Sequence, residues 1–456
     1  YAARLASIFM DALIAFPLFA LARIYLSRIS AFAACLLWAF FSFSLCFAPS
    51  PLSQSSFLLY LLSGIVLLHR GLENKEKGWL FGAGVFSSLS FLTRPEGIVG
   101  FGCGFLLCLI PLLGRRDSHE RPYAVPIIFL LGFLLLAGPY LIAFHNQLGY
   151  WGVTAKTEAA LKTQDGVLVL NSKGELVRAK EGVSIWKEYY GTLPAFAGAV
   201  WANLKAYFMV YYKTFPLWMH IVSLAGMLSL LWGKRALAFP YILILLAVTT
   251  PNYIVNVSKT HSYLYPVFPA MFICFSACFE TIAKGAAWAI EKFRPVMKPV
   301  LYEAALAIVL FFTVSYISLG FYQEADANYQ SPGLVGEAMM TERIFKEAGE
   351  VIKNNSLQND VIMTRWGLVG YFANRPVITL PKGGVKEVVE YGRKNGARFL
   401  MIDTPSVLSR RQELMELLEP LGGKTVNPEY GIEVFSRNYY PDLGGYVIYR
   451  YAQQRN

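Results

Sequence analysis

Charged residues are scarce in this sequence. Asp, Glu, Lys and Arg make up 16% of its 456 residues, whereas apolar types make up 55%. An ordinary soluble domain has about a quarter charged residues, which keep its surface in water. The composition therefore excludes an ordinary soluble protein, and it predicts that most of the chain faces lipid.

Cysteine is also rare, and its placement excludes a disulfide framework. All six cysteines fall within apolar runs: Cys35, Cys46, Cys103, Cys108, Cys274 and Cys278. We interpret them as small packing residues. The sequence has no Cys-x-x-Cys spacing and its five histidines are scattered, so a metal cluster is not indicated.

Long apolar runs, in contrast, are abundant. A helix rises about 1.5 Å per residue and the hydrocarbon layer is about 30 Å thick, so a span needs about 20 mainly apolar residues. Ten runs approach or exceed this length, namely 4–26, 31–48, 54–69, 79–93, 96–113, 124–144, 215–232, 237–251, 263–281 and 303–321. The fourth run is the weakest, and it could instead form half of a re-entrant hairpin with the fifth. The sequence predicts a mainly α-helical polytopic membrane protein with about ten transmembrane helices.

Positive charge alternates between the connections, which gives these helices a direction. Cytoplasmic loops should be rich in Lys and Arg. The basic connections contain Arg28; Arg70, Lys75 and Lys77; Arg115, Arg116 and Arg121; Lys234 and Arg235; and Lys284, Lys292, Arg294 and Lys298. The other short loops hold only Arg94 and Lys259. We therefore predict the basic connections in the cytoplasm, so that the net charge of +11 requires no nucleic acid partner.

The connection 145–214 is predicted to lie outside and to have structure of its own, because it is too long for a turn. A hairpin is predicted over 167–177. The apolar stretch Leu193–Tyr212 predicts an amphipathic helix in the membrane interface.

The composition changes after residue 321. Residues 1–321 are predicted to form the membrane domain, and alternating helix and strand signals in 322–456 predict an extracytoplasmic α/β domain. This tail has neither Gly-x-Gly-x-x-Gly nor a Walker loop, so nucleotide binding is unsupported. We interpret Asp403, at the end of a predicted strand, as a helix cap before Pro405 rather than as a catalyst.

Three polar segments at the outer ends of predicted helices are candidates for chemistry, because ionisable groups near hydrocarbon are costly. They are Thr93–Gly97, Lys205–Lys213 and Asn256–Pro266. Arg94 and Glu96 could form a local ion pair that holds a tight turn, and Lys259 with His261 could anchor a helix in the interface. Taken together, the cations and tyrosines of these segments could instead bind a phosphate whose lipid tail lies between helices.

Several short motifs have a familiar order. They are Ala2–Leu5 leading into a helix, Pro49–Pro51 before a span, Leu92–Gly97 at the end of a Gly-rich helix, Tyr263–Pro269 opening a late helix, and Tyr371–Pro376 in the tail. In order and spacing they resemble the C-type (GT-C) membrane glycosyltransferases, in the branch of the dolichyl-phosphate-mannose-protein mannosyltransferases and aminoarabinose transferases. The resemblance extends over nearly the whole chain.

The resemblance implies transfer of a sugar from a polyprenyl-phosphate donor to a lipid, glycan or protein acceptor, with inversion, at the outer face of the cytoplasmic membrane. It implies no cofactor beyond this lipid-linked substrate, and it leaves a divalent metal open. The residues expected to contact the donor phosphate or lipid are Arg94, Lys205, Lys259, His261 and Tyr263. The chain has His261-Ser262-Tyr263 where the family often has Arg-Tyr, so Lys259 or His261 would substitute there.

The family's acidic base is expected upstream of Tyr1, because the first helix of this chain resembles the family's second. Departure of a phosphate develops negative charge that fixed cations stabilise, while a carboxylate deprotonates the acceptor. No carboxylate of the chain stands out for this role, and Glu96 and Glu158 are the remaining candidates.

Two other functions stay open. A transporter or flippase for a lipid-linked saccharide would need ionisable residues at mid-membrane depth, broken helices and an inverted repeat, none of which is evident in the sequence. A non-catalytic membrane scaffold that binds a partner through its exported domain is the second.

Overall fold

The computed structural model describes residues 2–48, 53–114, 123–148, 168–170, 176–178, 193–231, 239–250, 264–293, 299–330, 336–381, 383–440 and 444–452. The chain divides into two compact units, Tyr1–Gln323 and Glu324–Asn456.

The first unit is built of helices. They are α1 (Ala2–Leu13), α2 (Ala15–Tyr25), α3 (Arg28–Phe40), α4 (Ser42–Phe47), α5 (Gln54–Asn74), α6 (Lys77–Thr93), α7 (Gly97–Gly114), α8 (Ala124–Leu148), α9 (Leu193–Thr214), α10 (Leu217–Leu230), α11 (Phe239–Ala247), α12 (Val267–Phe293) and α13 (Pro299–Gln330). Strands β1 (Leu168–Leu170) and β2 (Leu176–Arg178) form an antiparallel pair, as the predicted hairpin requires, while its turn lies outside the described residues.

Each of the ten predicted spans coincides with a helix or a pair of helices. Within the described residues, four helical stretches are long and apolar enough to cross a membrane: Ala2–Tyr25, Gln54–Asn74, Ala124–Asn146 and Val267–Ala286. Four shorter apolar helices accompany them: Arg28–Phe40, Gly97–Ile110, Leu217–Leu230 and Leu306–Phe321. The weakest run is helical over its whole length as α6. The first unit is a polytopic, mainly α-helical membrane domain.

The first two predicted spans are each interrupted once. Pro17 has no N–H to donate to the carbonyl of Leu13, and α1 gives way to α2 at this point. Ile14 itself keeps helical dihedral angles (φ −57°, ψ −31°), so the backbone does not unwind at this point. At Phe41 the backbone is extended (φ −63°, ψ 129°), which separates α3 from α4.

Close helix packing in this unit depends on small residues. A Cβ atom placed on Gly84 of α6 would lie 2.1 Å from the carbonyl oxygen of Phe129, and one on Gly132 of α8 would lie 2.2 Å from that of Phe81. Both distances are impossible for a real side chain, so the two glycines permit the backbone contact between α6 and α8.

The second unit combines helices with a mixed sheet. Its elements are α14 (Gly336–Asn354), β3 (Val361–Thr364), α15 (Gly367–Ala373), β4 (Val377–Thr379), α16 (Val385–Lys394), β5 (Ala397–Asp403), α17 (Thr404–Arg410), two 3-10 helices (Gln412–Gly422 and Pro428–Tyr430), β6 (Ile432–Tyr440) and β7 (Gly444–Tyr451). The sheet order is β4-β3-β5-β7-β6. β3 is parallel to β4 and β5, whereas β7 is antiparallel to β5 and β6. The predicted α/β architecture of the tail is confirmed.

The segment after β5 is not one continuous helix. α17 ends at Arg410, because Arg411 leaves the helical region (φ −136°, ψ 48°), and a 3-10 helix follows over Gln412–Gly422. The interpretation of Asp403 is confirmed, since its Oδ1 accepts a hydrogen bond of 2.8 Å from the backbone N–H of Ser406 at the start of α17.

Candidate functional site

A buried carboxylate lies inside the first apolar stretch. Asp11 is close to the midpoint of Ala2–Tyr25, and the residue is only 8% exposed. Three hydroxyls donate to it: Ser44 to Oδ2 at 2.7 Å, Ser55 to Oδ1 at 3.0 Å, and Tyr265 to Oδ1 at 2.8 Å. The three donors come from α4, from α5 and from the turn that precedes α12. We call Asp11 and its three donors the Asp11 cluster.

Aromatic side chains surround this cluster on one side. The edge of the Trp38 ring meets Tyr265 with centroids 5.0 Å apart. Trp38 also lies beside Phe41, which contacts a set of further rings: Phe43, Phe215, Phe268, Phe272 and Phe321. Such a shell keeps water away, so the hydrogen bonds of the Asp11 cluster form in a medium where an unpaired polar group would be costly.

Asp11 is not among the site residues predicted from the sequence, and the expectation that no carboxylate of the chain stands out as the base stays a prediction. The Asp11 cluster leaves no local sequence pattern, because its three donors are 33, 44 and 254 residues from Asp11 in the sequence. The available signal was Asp11 itself, since a lone acid within an apolar span is expensive and usually has a function.

The Asp11 cluster is suited to holding elements in place. A carboxylate has about four lone-pair sites, and three hydroxyl donors use most of them. Among the described residues, no lysine or arginine forms an ion pair with Asp11. The carboxylate therefore ties three separate elements to α1 through hydroxyl groups alone.

The turn between α6 and α7 contains the Arg94–Glu96 pair. Nη2 of Arg94 lies 2.9 Å from Oε1 of Glu96, and Nε lies 3.4 Å from Oε2. Both side chains are largely buried, with exposures of 13% and 10%. A Cβ atom on Gly97 would lie 2.4 Å from the backbone nitrogen of Phe91, so only glycine permits the chain to fold back on α6 here. The local ion pair that the sequence left as one alternative is present.

The Asp11 cluster and the Arg94–Glu96 pair meet the same end of α5. Ser55 donates to Asp11, while the guanidinium of Arg94 lies 5.7 Å from the ring centroid of Phe57. Both Ser55 and Phe57 belong to the beginning of α5. Asp11 and Arg94, which are far apart in the sequence, thus both contact the beginning of α5.

The remaining residues predicted to contact the donor or to act as the base are Lys205, Lys259, His261, Tyr263 and Glu158. Lys205 lies on α9 with its side chain exposed. Lys259, His261, Tyr263 and Glu158 lie outside the described residues. Leu264 and Tyr265 follow Tyr263 directly in the sequence, and Tyr265 is a member of the Asp11 cluster. No group of three His, Cys, Asp or Glu residues that could hold a metal ion occurs in the described parts of the chain.

Comparison with known families gives one match by sequence. Residues 1–142 match the family described as dolichyl-phosphate-mannose-protein mannosyltransferase. No curated protein matches the chain by sequence. The family match confirms the predicted resemblance to the C-type membrane glycosyltransferases for this segment, which contains the Asp11 carboxylate and the Arg94–Glu96 pair.

Solved structures with a similar fold are distant in sequence. The ArnT of Cupriavidus metallidurans bound to undecaprenyl phosphate is 12% identical with a TM-score of 0.51, and the match covers 98% of this chain and 83% of that protein. The apo oligosaccharyltransferase of Archaeoglobus fulgidus is also 12% identical, with a TM-score of 0.48 and 89% of this chain covered. This chain spans 59% of the length of the oligosaccharyltransferase. The ArnT match shows a shared fold of a polytopic membrane protein.

Proposed function

We propose that this chain, whose first 142 residues match the dolichyl-phosphate-mannose-protein mannosyltransferase family, is a membrane glycosyltransferase. It moves a sugar from a polyprenyl-phosphate-linked donor to a lipid, glycan or protein acceptor. The family match is the observation on which the proposal depends. The fold shared with ArnT, whose structure contains undecaprenyl phosphate, agrees with it.

Arg94, Lys205, Lys259, His261 and Tyr263 are the proposed contacts to the donor phosphate. Cations fixed near the membrane surface would stabilise the phosphate charge that develops as the glycosidic bond breaks. The lipid-linked donor already contains an activated sugar, so we expect no organic cofactor.

The proton acceptor is a separate question. Both carboxylate oxygens of Glu96 face the guanidinium of Arg94, which makes Glu96 a poor candidate for a base. Glu158 remains a candidate by its sequence position. We propose Asp11 as a positioning residue, because its hydroxyl partners hold the beginning of α5 and the turn before α12 together.

The proposed location is the cytoplasmic membrane, with transfer at the outer face. The alternation of basic connections supports this orientation. We propose residues 1–321 as the membrane domain and residues 322–456 as the α/β domain on the outer side, where an acceptor of the cell envelope is accessible.

A transfer assay with the full chain tests the proposal. The purified protein in liposomes is supplied with polyprenyl phosphates that carry a labelled hexose or pentose, together with a membrane extract as acceptor source. We expect label to move to an acceptor, and we expect the double variant Lys259→Ala/His261→Ala to abolish this movement. The matched control is Lys77→Gln, which removes an exposed cation from a connection predicted on the opposite side. Full turnover by the double variant would remove both residues from the site. Failure of the chain both to transfer sugar from any donor and to bind a polyprenyl-phosphate sugar would overturn the enzyme assignment, because donor binding does not require the acidic base.

A flippase for a lipid-linked saccharide is the second candidate, favoured by the buried Asp11 carboxylate within an apolar stretch and by the helix interruption at Phe41. The same liposomes distinguish the two. A flippase would carry a fluorescent polyprenyl-phosphate saccharide to the other leaflet with its glycosidic bond intact. A transferase would release the polyprenyl phosphate.

A further inference from the structure

A groove on the membrane domain is separate from the site described above. It lies between α2, α3 and α13 and has a cavity volume of about 640 Å³. Its wall is apolar, with Phe19 from α2, Phe32 and Leu36 from α3, and Ile308 and Phe311 from α13. Among the described residues that line the groove, Arg28 alone is charged.

Arg28 marks one end of the groove. It is the first residue of α3, and Leu36 lies eight residues further along the same helix. At about 1.5 Å per residue this separation is about 12 Å, close to the depth of one leaflet of a hydrocarbon layer about 30 Å thick. The groove therefore runs from a charged end to a depth that one lipid chain would reach.

The charged end contains more than Arg28. Glu280 of α12 is fully buried, and its Oε2 accepts a hydrogen bond of 2.7 Å from the backbone N–H of Ser27. Lys284 donates to the other carboxylate oxygen at 2.5 Å, which offsets the charge of Glu280. Arg23 is held in the same turn, because its Nη1 donates to the carbonyl of Leu26 at 2.6 Å. Three cations and one carboxylate leave this end with two net positive charges.

We propose that this groove binds an anionic phospholipid, with one acyl chain between α3 and α13 and the phosphate beside Arg28. The apolar wall accounts for the chain, and the net positive end accounts for a preference for anionic over zwitterionic headgroups. The site is distinct from the donor site, because Arg28 belongs to the basic set of connections and Arg94 to the opposite set. It does not depend on the proposed transferase activity.

Lipid retention by the purified full chain tests the proposal. The protein is placed in nanodiscs of equal phosphatidylglycerol and phosphatidylcholine, extracted with mild detergent, and examined for retained lipid by native mass spectrometry. We expect phosphatidylglycerol to be retained in preference, and Arg28→Gln to lower its retention about tenfold through loss of a charge-assisted contact. Arg28→Lys should restore most of it, whereas Lys77→Gln, which removes an exposed cation elsewhere, should leave it unchanged.

A second variant tests the groove itself. Ala307→Phe, on α13, should fill the space and lower retention of both lipids while Arg28 is intact. Thermal melting in detergent verifies that each variant is folded. Equal retention of the two lipids by the unaltered chain would overturn the proposal, as would an Arg28→Gln variant that keeps the preference. Displacement of phosphatidylglycerol by undecaprenyl phosphate would assign the groove to the donor lipid and overturn it as well.

Discussion

The membrane unit and the α/β unit each contain a carboxylate that accepts hydrogen bonds from three side chains. In the membrane unit Asp11 accepts from Ser44, Ser55 and Tyr265. In the α/β unit Glu347 of α14 accepts from Tyr440, from Asn438 at 2.6 Å and from Tyr446 at 3.1 Å. The number of donors is the same, but the surroundings differ.

The two networks differ in whether water can replace the carboxylate acceptor when a substitution removes it. Ser44, Ser55 and Tyr265 are at most 2% exposed, whereas Asn438 and Tyr440 are only half-buried. A donor near the surface turns to water when its acceptor is removed, but a donor enclosed by packed helices has no such substitute. The Asp11 cluster should therefore be the more sensitive of the two networks.

The largest effect is expected from Asp11→Ala. It leaves three buried hydroxyls without their acceptor, and each such loss costs about 1–3 kcal/mol, so we expect the unfolding free energy to fall by about 3 kcal/mol. The measurement is unfolding of the full chain in detergent micelles. Asp11→Asn is the matched control, because its amide oxygen still accepts from two donors, and it should lose about 1 kcal/mol. An alanine variant as stable as the unaltered chain would show that these hydrogen bonds contribute nothing.

A smaller effect is expected from Glu347→Ala, about 1 kcal/mol, because two of its three donors, Asn438 and Tyr440, regain hydrogen bonds from water and only Tyr446 is fully buried. Hydrogen exchange of the β6 and β7 amides reports it. Exchange as slow as in the unaltered chain would contradict the prediction, and a loss equal to that of Asp11→Ala would remove the contrast between the units.

The stability that Glu347 contributes to the α/β unit should depend on pH, which gives a further test of its hydrogen-bond network. Burial by itself would raise its pKa, but the hydrogen bonds from Tyr440, Asn438 and Tyr446 outweigh burial and lower the pKa below its ordinary value of 4.5. A carboxyl whose folded pKa is lowered stabilises the fold above its unfolded pKa, and this contribution is lost as pH falls through the folded value. We expect the protection of the β6 and β7 amides, measured relative to their intrinsic exchange rates, to fall below about pH 4.5, and this fall to be weaker in Glu347→Gln.

The smallest effect is expected from Asp403→Asn. Burial raises the pKa of Asp403, while the hydrogen bonds from Ser406 act in the opposite direction. Because the folded pKa is raised, the ionised form costs stability at neutral pH, and stability increases as pH falls toward the unfolded value. Asp403→Asn keeps the helix cap without the charge and should be neutral or slightly stabilising in thermal melting, whereas Asp403→Ala should cost about 1 kcal/mol. Equal melting temperatures for both variants would show that the cap has no energetic role.

The positions of the helices followed from the sequence better than their lengths. The run 303–321 lies within α13, which begins at Pro299 and ends at Gln330, and the run 54–69 lies within α5, which continues to Asn74. Hydropathy reports only the apolar part of a helix, whether it faces lipid or neighbouring helices. Backbone hydrogen bonds continue into polar residues, so a helix extends beyond the apolar run that reveals it.

The candidate site contains one contact that the sequence could predict and others that it could not. Arg94 and Glu96 are two residues apart, so their ion pair follows from local sequence and was anticipated as an alternative. The Asp11 cluster joins residues from four elements, and Glu280 meets Ser27 across 253 positions. Neither contact leaves a local pattern, because each depends on how helices pack.

By itself, the sequence determined a polytopic membrane domain and an α/β tail, because apolar runs and alternation of helix and strand are local properties. The direction of the helices, which follows from loop charge, stays a prediction. Only the tertiary structure decided that Asp11 accepts hydrogen bonds from Ser44, Ser55 and Tyr265, and that Arg28 lies at the end of an apolar groove. The physical reason is that a buried polar group must find its partners wherever the packing of helices brings them. A single Asp in an apolar run therefore indicates that partners exist but does not identify them.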